Sequence, residues 1–349
     1  MDLAIGDGFP TFVIAEISGN HAGKIENAIH LIEESAKAGA DAVKFQAYTA
    51  DSITIDSEFD DFRIPSGNSW EKYSTLFNLY KTAQTPFEWI PELFKAAKRF
   101  SVPVFASVFD LTSIELLENH DPFAYKVASP EASDSILLKR LGKTRKPVFI
   151  STGLSNASEI YESNEILLHN GCPQVIWLKA STAYPAPLQD INLRTIEHMK
   201  DFVKGPVGFS DHTLDIEIAV AAVAQGANAI EKHIKLSDSQ SSVDDFFSLS
   251  PSQFKHMVHC IRNVEAAIGV VNYDIPASSR ENLNGKRSLY CVEDIKPGEL
   301  FTSANVRSIR PSFGLPISYY ESIIGKRSRS SIVKGQRLSL SHVDLESEE

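Results

Sequence analysis

The sequence predicts an α/β fold: a closed (β/α)8, or TIM, barrel followed by a small β-rich C-terminal module. Three observations carry this expectation. Eight short apolar runs recur between residues 12 and 234, separated by stretches with helical spacing, so strand and helix alternate and a parallel sheet is implied. Nearly every run ends in a residue able to hold a phosphate, a metal or a carbonyl, as expected where strand ends and the following loops build the site of a barrel. No glycine-rich phosphate fingerprint follows the first run, which favours the closed barrel over an open, doubly wound sheet.

In order, the runs are residues 12–17 with Glu16, 42–47 with Lys44 and Gln46, 102–107 ending in Ser107, and 124–129 with Lys126 and Ser129. Then come 147–152 with Ser151 and Thr152, 175–181, 206–211 with Ser210 and followed by His212, and 229–234 with Glu231, Lys232 and His233. Runs so short and so rich in Val, Ile and Phe suit strands buried on both faces. Helices are expected at 25–38, just before the cap residue Gly39, and at 88–100, 133–141, 157–169, 215–225 and 251–268. Residues 48–85 are too many for an ordinary strand-to-helix loop, and their Trp70, Tyr73, Phe77 and Tyr80 predict an ordered lid over the barrel mouth. Residues 237–249, which hold Asp244, Phe246 and Phe247, invite the same reading. The barrel domain is expected to span residues 1–270. Pro276, Ser278, Asn284 and Gly285 mark residues 271–286 as a linker. Residues 287–349 follow as a turn-rich module with short strands at 287–292 and 337–340, too small to bury much surface alone.

Composition bounds the function. The 349 residues are 43% apolar, ample for a barrel and a second, smaller domain. A net charge of -11 argues against a nucleic-acid partner, which calls for a basic face. Cys172, Cys260 and Cys291 are too widely spaced for a disulfide framework or a zinc knuckle, and read as reduced thiols of a cytoplasmic protein. Asp2 and Asp7 interrupt any secretory leader, and no apolar stretch approaches the ~20 residues of a membrane span.

Two groups of residues carry the chemistry. His212 and His233 follow neighbouring strands, which places both imidazoles at one mouth; neutral imidazole is the commonest metal ligand, and such a pair suits a divalent ion in an open site. The alternative is two separately satisfied histidines, or one acting as a base. Lys44 and Lys126 sit on buried strands, where an ammonium needs compensation. Either an anionic substrate meets them, helped by Ser107, Ser129, Ser151 and Ser210, or carboxylates such as Glu16 and Glu131 pair with them. Glu16, Glu131 and Asp244 are candidate acids, bases or orienting groups. Tyr184 either shapes the mouth or packs, and Asp211 is expected to orient His212.

At this point the residues become recognisable. Ile14-Ala15-Glu16-Ile17-Ser18-Gly19-Asn20-His21, Ala42-Val43-Lys44-Phe45-Gln46, Tyr125-Lys126-Val127-Ala128-Ser129, Gly208-Phe209-Ser210-Asp211-His212-Thr213 and Glu231-Lys232-His233 together resemble the sialic acid synthase family. The last sixty or so residues resemble that family's antifreeze-like (SAF) domain, so the likeness runs through the chain. Thr85-Pro86-Phe87-Glu88-Trp89, Leu193-Arg194-Thr195-Ile196 and Asn305-Val306-Arg307-Ser308-Ile309-Arg310-Pro311 are closer to one branch, the pseudaminic acid synthases.

The resemblance implies condensation of phosphoenolpyruvate with an acyclic 2,4-diacetamido-2,4,6-trideoxy-altrose, with phosphate released by C–O cleavage. It implies phosphoenolpyruvate contacts at Lys44, Ser107, Lys126, Ser129, Ser151 and Ser210, and metal ligands at His212 and His233. It implies sugar contacts at Gln46, Glu131, Tyr184 and Asp244, with Glu16 near the attacking water. The implied metal is manganese, with magnesium or cobalt as alternatives. The implied assembly is a homodimer whose SAF domain covers the partner's barrel and brings Arg310 to the substrate's acyl-amino group. An N-acetylneuraminate or legionaminate synthase is the alternative within the family, and a non-catalytic sugar-binding protein is the alternative outside it. Val108, Ala180, Thr182 and Ala22 depart from the family's usual residues, and each bears on substrate discrimination.

Overall fold

The computed structural model describes residues 3–236 and 242–345. Residues 237–241 of the second expected lid segment, the first two residues and the acidic end at 346–349 lie outside the described residues. The chain divides into two compact units, Met1–Gly269 and Val270–Glu349.

The first unit is a closed barrel of eight parallel strands in sequential order. They are β1 (Phe12–Glu16), β2 (Ala42–Ala47), β3 (Val104–Val108), β4 (Tyr125–Val127), β5 (Val148–Ser151), β6 (Val175–Ala180), β7 (Val207–Asp211) and β8 (Ala229–His233), and β1 closes on β8. Seven of the eight expected runs contain their strand, and β3 passes its run by one residue at Val108, so a (β/α)8 barrel is what forms. Ten α-helices lie among the described residues of this unit: α1 (Ile25–Ala38), α2 (Ala50–Ile53), α3 (Leu76–Ala83), α4 (Ile90–Phe100), α5 (Leu111–Glu118), α6 (Ser135–Lys143), α7 (Ala157–His169), α8 (Arg194–Lys200), α9 (Glu217–Ala224) and α10 (Pro251–Ile268).

Strand alternation sorts the side chains. Val13, Val43, Phe45, Val104, Trp177 and Phe209 face outward into the main core shared with the helices. Ile14, Ala42, Phe105, Phe149, Ile176, Leu178 and Ala229 fill the lower barrel interior as a separate cluster. Residues one step up the strand with this second parity end at the C-terminal mouth. The register then pairs Glu16 with both Lys44 and His233, Ser107 with Lys126, and Ser210 with Glu231.

Residues 48–85 fold into an ordered cap, as the aromatics predict. Ile64, Leu79 and Ala83 pack with Val243 in a small cluster of their own, flanked by Trp70, Tyr73, Leu76 and Tyr80. His21 anchors its base: the ring stands edge-on to Trp89 at 5.2 Å, and Nδ1 accepts the Gly23 N–H at 3.1 Å. Burial holds this imidazole neutral, down to about 4.

The second unit has its own core of Leu289, Cys291, Ile295, Phe301, Val306, Ile323, Ile332, Leu338 and Val343. Its described strands are β9 (Ser288–Cys291) with β10 (Val306–Ile309), and β11 (Arg327–Ser328) with β12 (Val343–Asp344), both pairs antiparallel. The strand expected at 337–340 is replaced by an isolated bridge between Arg337 and Tyr290 and a helical turn at Leu340–His342. Residues 277–285 of the expected linker form a 3-10 helix.

Candidate functional site

The mouth of the barrel holds a charged network whose members come from adjacent strands. Lys44 Nζ lies 2.8 Å from Glu16 Oε2 and 3.2 Å from Glu231 Oε2, and donates to Ser107 Oγ at 3.0 Å. Ser210 Oγ donates to the other oxygen of Glu231 at 2.9 Å. Lys126 differs: its Nζ donates to Ser151 Oγ at 2.7 Å and to the Val127 carbonyl at 3.0 Å, and makes no ion pair among the described residues. The two lysines therefore answer the sequence question differently. Lys44 carries the carboxylate pairing that was the alternative, whereas Lys126 is the cation still owed a partner.

The electrostatics follow. Burial pushes Lys126 down to about 8. Burial pulls the same way on Lys44, but Glu16 and Glu231 outweigh it and keep that ammonium charged. Burial raises the Glu16 carboxyl, and Glu231 beside it adds to the rise. Burial also acts on Glu231, yet Lys126 and Lys44 hold it ionised, below the usual carboxylate range. One proton thus tends to rest on Glu16. The sequence marks Glu231 only as one of three polar residues of its run; its parity, shared with Lys44 and His233 but not with Lys232, is what brings it into the site.

His212 and His233 do come together, with ring centroids 5.5 Å apart. The Ser181 carbonyl can only accept, so His212 donates its Nδ1–H there at 2.9 Å and presents an Nε2 lone pair. Burial lowers both imidazoles and keeps them neutral. His233 Nδ1 is buried without a hydrogen-bond partner, which calls for an additional group at that ring. Two neutral imidazoles and this orphaned nitrogen fit a divalent cation. No third His, Cys, Asp or Glu joins them in a ligand cluster among the described residues, so remaining positions would fall to water and substrate, as in an open site.

Asp211 does not orient His212. It points out of the barrel, where Oδ2 meets Lys232 Nζ at 2.8 Å and Oδ1 accepts from the N–H and hydroxyl of Thr213, both at 2.8 Å. The Ser181 carbonyl does the orienting instead. The parity of β7 explains the difference: a residue adjacent to His212 in sequence faces the opposite side of the sheet.

The remaining candidates of the barrel unit rim the same mouth. Tyr184 packs on His212 at 4.4 Å and Phe247 on His233 at 4.7 Å. Trp70 from the cap reaches Tyr184 at 5.3 Å and Phe246 at 5.8 Å, and its Nε1–H donates to the Val243 carbonyl at 2.9 Å. Asp244 Oδ2 accepts from Ser18 Oγ at 2.5 Å, and burial raises its carboxyl. Glu131, on the turn Ser129–Glu131, has a buried Oε2 with no partner and is pushed up to about 7 by burial. Ser129 Oγ accepts the Gly153 N–H at 3.0 Å. A Cβ at Gly153 would come within 2.1 Å of Thr182 Oγ1, itself buried and unpaired, so only glycine lets these turns close. Gln46 lies on β2 opposite Ser107. Arg310 is exposed, just past β10 in the second unit.

Residues 31–273 match the NeuB family and residues 286–344 the SAF domain. The chain is 42% identical to the pseudaminic acid synthase of Campylobacter jejuni, over 94% of this chain and 95% of that protein. It is 34% identical to an N,N'-diacetyllegionaminic acid synthase of the same species, over 90% of this chain and 95% of that one. Among solved structures it resembles the N-acetylneuraminic acid (sialic acid) synthetase of Leptospira borgpetersenii, with a TM-score of 0.70, 29% identity, and coverage of 81% of this chain and 94% of that one.

Proposed function

We propose a function from one premise: the chain belongs to the NeuB family. It is a phosphoenolpyruvate-dependent, C–C bond-forming transferase that makes a nine-carbon nonulosonic acid, and its sugar substrate is 2,4-diacetamido-2,4,6-trideoxy-altrose. The observation that carries the chemistry is the placing of two neutral imidazoles beside the Lys44, Lys126, Ser151 and Glu16 network at one barrel mouth. The 42% identity to a pseudaminic acid synthase supports the branch.

The residues divide the work. Lys126, cationic and without a carboxylate of its own, binds the phosphate of phosphoenolpyruvate together with Lys44 and the hydroxyls of Ser107, Ser129, Ser151 and Ser210. His212 and His233 hold a divalent cation, manganese first and magnesium or cobalt as alternatives, which supplies Lewis-acid polarisation of the sugar aldehyde. The nucleophilic enol carbon then attacks the aldehyde carbon, whose oxygen keeps the π electron pair and takes up a proton from solvent to become a hydroxyl, leaving a cationic centre at C2 of the phosphoenolpyruvate unit. Water adds there, deprotonated by Glu16 when that carboxyl is ionised. The resulting tetrahedral centre expels phosphate, whose negative charge Lys44 and Lys126 offset. Gln46, Glu131, Tyr184 and Asp244 bind the sugar; the neutral carboxyl of Glu131 is suited to donate a hydrogen bond to an acetamido carbonyl. The enzyme acts as a homodimer in which Arg310 of one subunit completes the partner's site. Three free thiols suit a cytoplasmic location, and no described helix is long and apolar enough to cross a membrane.

The test presents metal-stripped, resupplied enzyme with phosphoenolpyruvate and each candidate sugar. Phosphate release with the altrose derivative supports the branch, and preference for N-acetylmannosamine or its legionaminate-type counterpart overturns it. Mixing His233→Ala with Arg310→Ala subunits tests the shared site: regained activity supports it, and none counts against it.

A further inference from the structure

The outer wall of the barrel carries a second basic site. Lys179 and Lys232 are both strand lysines of outward parity, buried between barrel and helices. Lys232 is satisfied by Asp211, by the carbonyls of Thr213 and Asp215, and by the Thr213 hydroxyl. Lys179 is not: its Nζ donates to the Ala180 carbonyl at 3.1 Å and to Ser181 Oγ at 3.3 Å, and makes no ion pair among the described residues. Asp190 is the acidic group whose field reaches it. Lys179 is a buried residue whose ammonium, partly withdrawn from water, meets only neutral acceptors, so an anion is the partner that would complete it.

Beside Lys179 lies a cavity of about 590 Å³, within the range of small-molecule sites. Arg194, at the start of α8, lines it and makes no ion pair among the described residues; Asn192, Thr195 and Gln225 add polar groups, and no acidic residue lines it. Leu193, Ala221 and Ala224 supply an apolar wall. In a chain of net charge -11 this is a local concentration of positive charge that forms no ion pair among the described residues.

We propose that this cavity binds a small phosphorylated metabolite, its phosphate between Lys179 and Arg194 and its body against the apolar wall, and that binding is coupled to the barrel mouth through Ser181. Lys179 holds the Ala180 carbonyl and the Ser181 hydroxyl, and the Ser181 carbonyl fixes the His212 ring. A phosphate that draws Lys179 away loosens the segment that aims His212. The coupling is reciprocal, so a cation at the imidazoles and a phosphate in the outer cavity weaken each other. The coupling to His212 rests on the reading of the histidine pair as a cation site; the cavity itself does not.

The test is calorimetric. Metal-free enzyme saturated with phosphoenolpyruvate is titrated with inorganic phosphate, glucose 6-phosphate and adenosine monophosphate. Binding of glucose 6-phosphate or adenosine monophosphate is expected, tighter than that of inorganic phosphate, and weakened about tenfold or more in Lys179→Met and Arg194→Ala. Phosphoenolpyruvate affinity should stay at the wild-type level in both variants. No binding by any of the three, binding of inorganic phosphate alone, or binding that both variants leave intact overturns the site. Manganese affinity of the wild type should fall when the phosphorylated ligand is bound; an unchanged affinity removes the coupling. Failure of phosphoenolpyruvate itself to bind would count against the proposed function instead.

Discussion

The Nδ1–H of His212 is donated to the Ser181 carbonyl oxygen at 2.9 Å, and this one bond selects the tautomer that leaves Nε2 free to bind a cation. His233 stands opposite with a buried, unpartnered Nδ1. Either ring alone would be a poor site. His233→Ala should therefore lower manganese affinity by about 100-fold, at least the loss seen when groups merely supporting a ligand are removed. A manganese titration followed by electron paramagnetic resonance reads this directly, and circular dichroism should show the barrel intact. Affinity close to wild type would mean that the histidines are two separately satisfied side chains.

Lys44 and Lys232 are both buried in carboxylate company, but on opposite sides of the sheet. Lys44→Met leaves Glu16 and Glu231 facing each other, and Lys232→Met leaves Asp211 without its cation. Each should cost roughly 3–5 kcal/mol in urea unfolding, the usual penalty for stranding a buried charge. The functional readouts should separate. Lys44→Met is expected to abolish phosphoenolpyruvate binding, whereas Lys232→Met should bind phosphoenolpyruvate and manganese as the wild type does. Equal loss in both variants would erase the distinction between mouth and wall.

That distinction shows what the sequence discloses and what it conceals. Three capped helices are legible to the residue: α1 ends at Gly39 in the left-handed region, α7 begins at an Asn156/Glu159 capping box, and α10 at Ser250 with Pro251 and Gln253; α6, expected at 133–141, runs from Ser135 to Lys143 although Asp134 caps it. Helix α8 follows Asn192 with a positive φ and has no side-chain cap, so nothing in its composition announces it. Asp110 does cap α5, but eight residues are too few to establish a helical period. The mouth residues are legible because strand ends concentrate chemistry. Their partners are not, since Glu231 meets Lys44, and Ser18 meets Asp244, only through closure of a barrel that joins its first strand to its last.

Glu131 gives stability a pH dependence with a definite sign. Its carboxyl is raised from 4.5 to about 7, so the folded state holds a proton that the unfolded chain releases. The resulting stability is complete below the unfolded pKa and is lost as pH rises through about 7. The contribution is roughly 3 kcal/mol as an upper bound. Glu131→Gln should flatten the fall in unfolding free energy between about pH 5 and pH 7.5. A residual fall is expected because Glu16 is raised too. Urea unfolding across that range is the measurement, and a slope identical to the wild type would place the proton elsewhere.

Trp70 is the contact that joins the cap to the mouth. Its indole N–H donates to the Val243 carbonyl and its ring meets Tyr184 and Phe246, while Tyr184 in turn rests on His212. The chain from Trp70 to His212 passes only through side chains that wall the sugar side of the mouth. It touches none of the groups assigned to phosphoenolpyruvate. Trp70→Ala removes one hydrogen bond of about 1 kcal/mol and two aromatic contacts of roughly 0.5–1.5 kcal/mol each. A closed cap stabilised by that much less should raise KM for the sugar roughly tenfold or more. KM for phosphoenolpyruvate should hold steady. Trp70→Phe, which keeps an aromatic ring and loses only the N–H, should fall between the two. If both KM values rise together, the cap encloses the whole mouth rather than its sugar half. If neither moves, the cap is closed by other contacts and the indole merely packs.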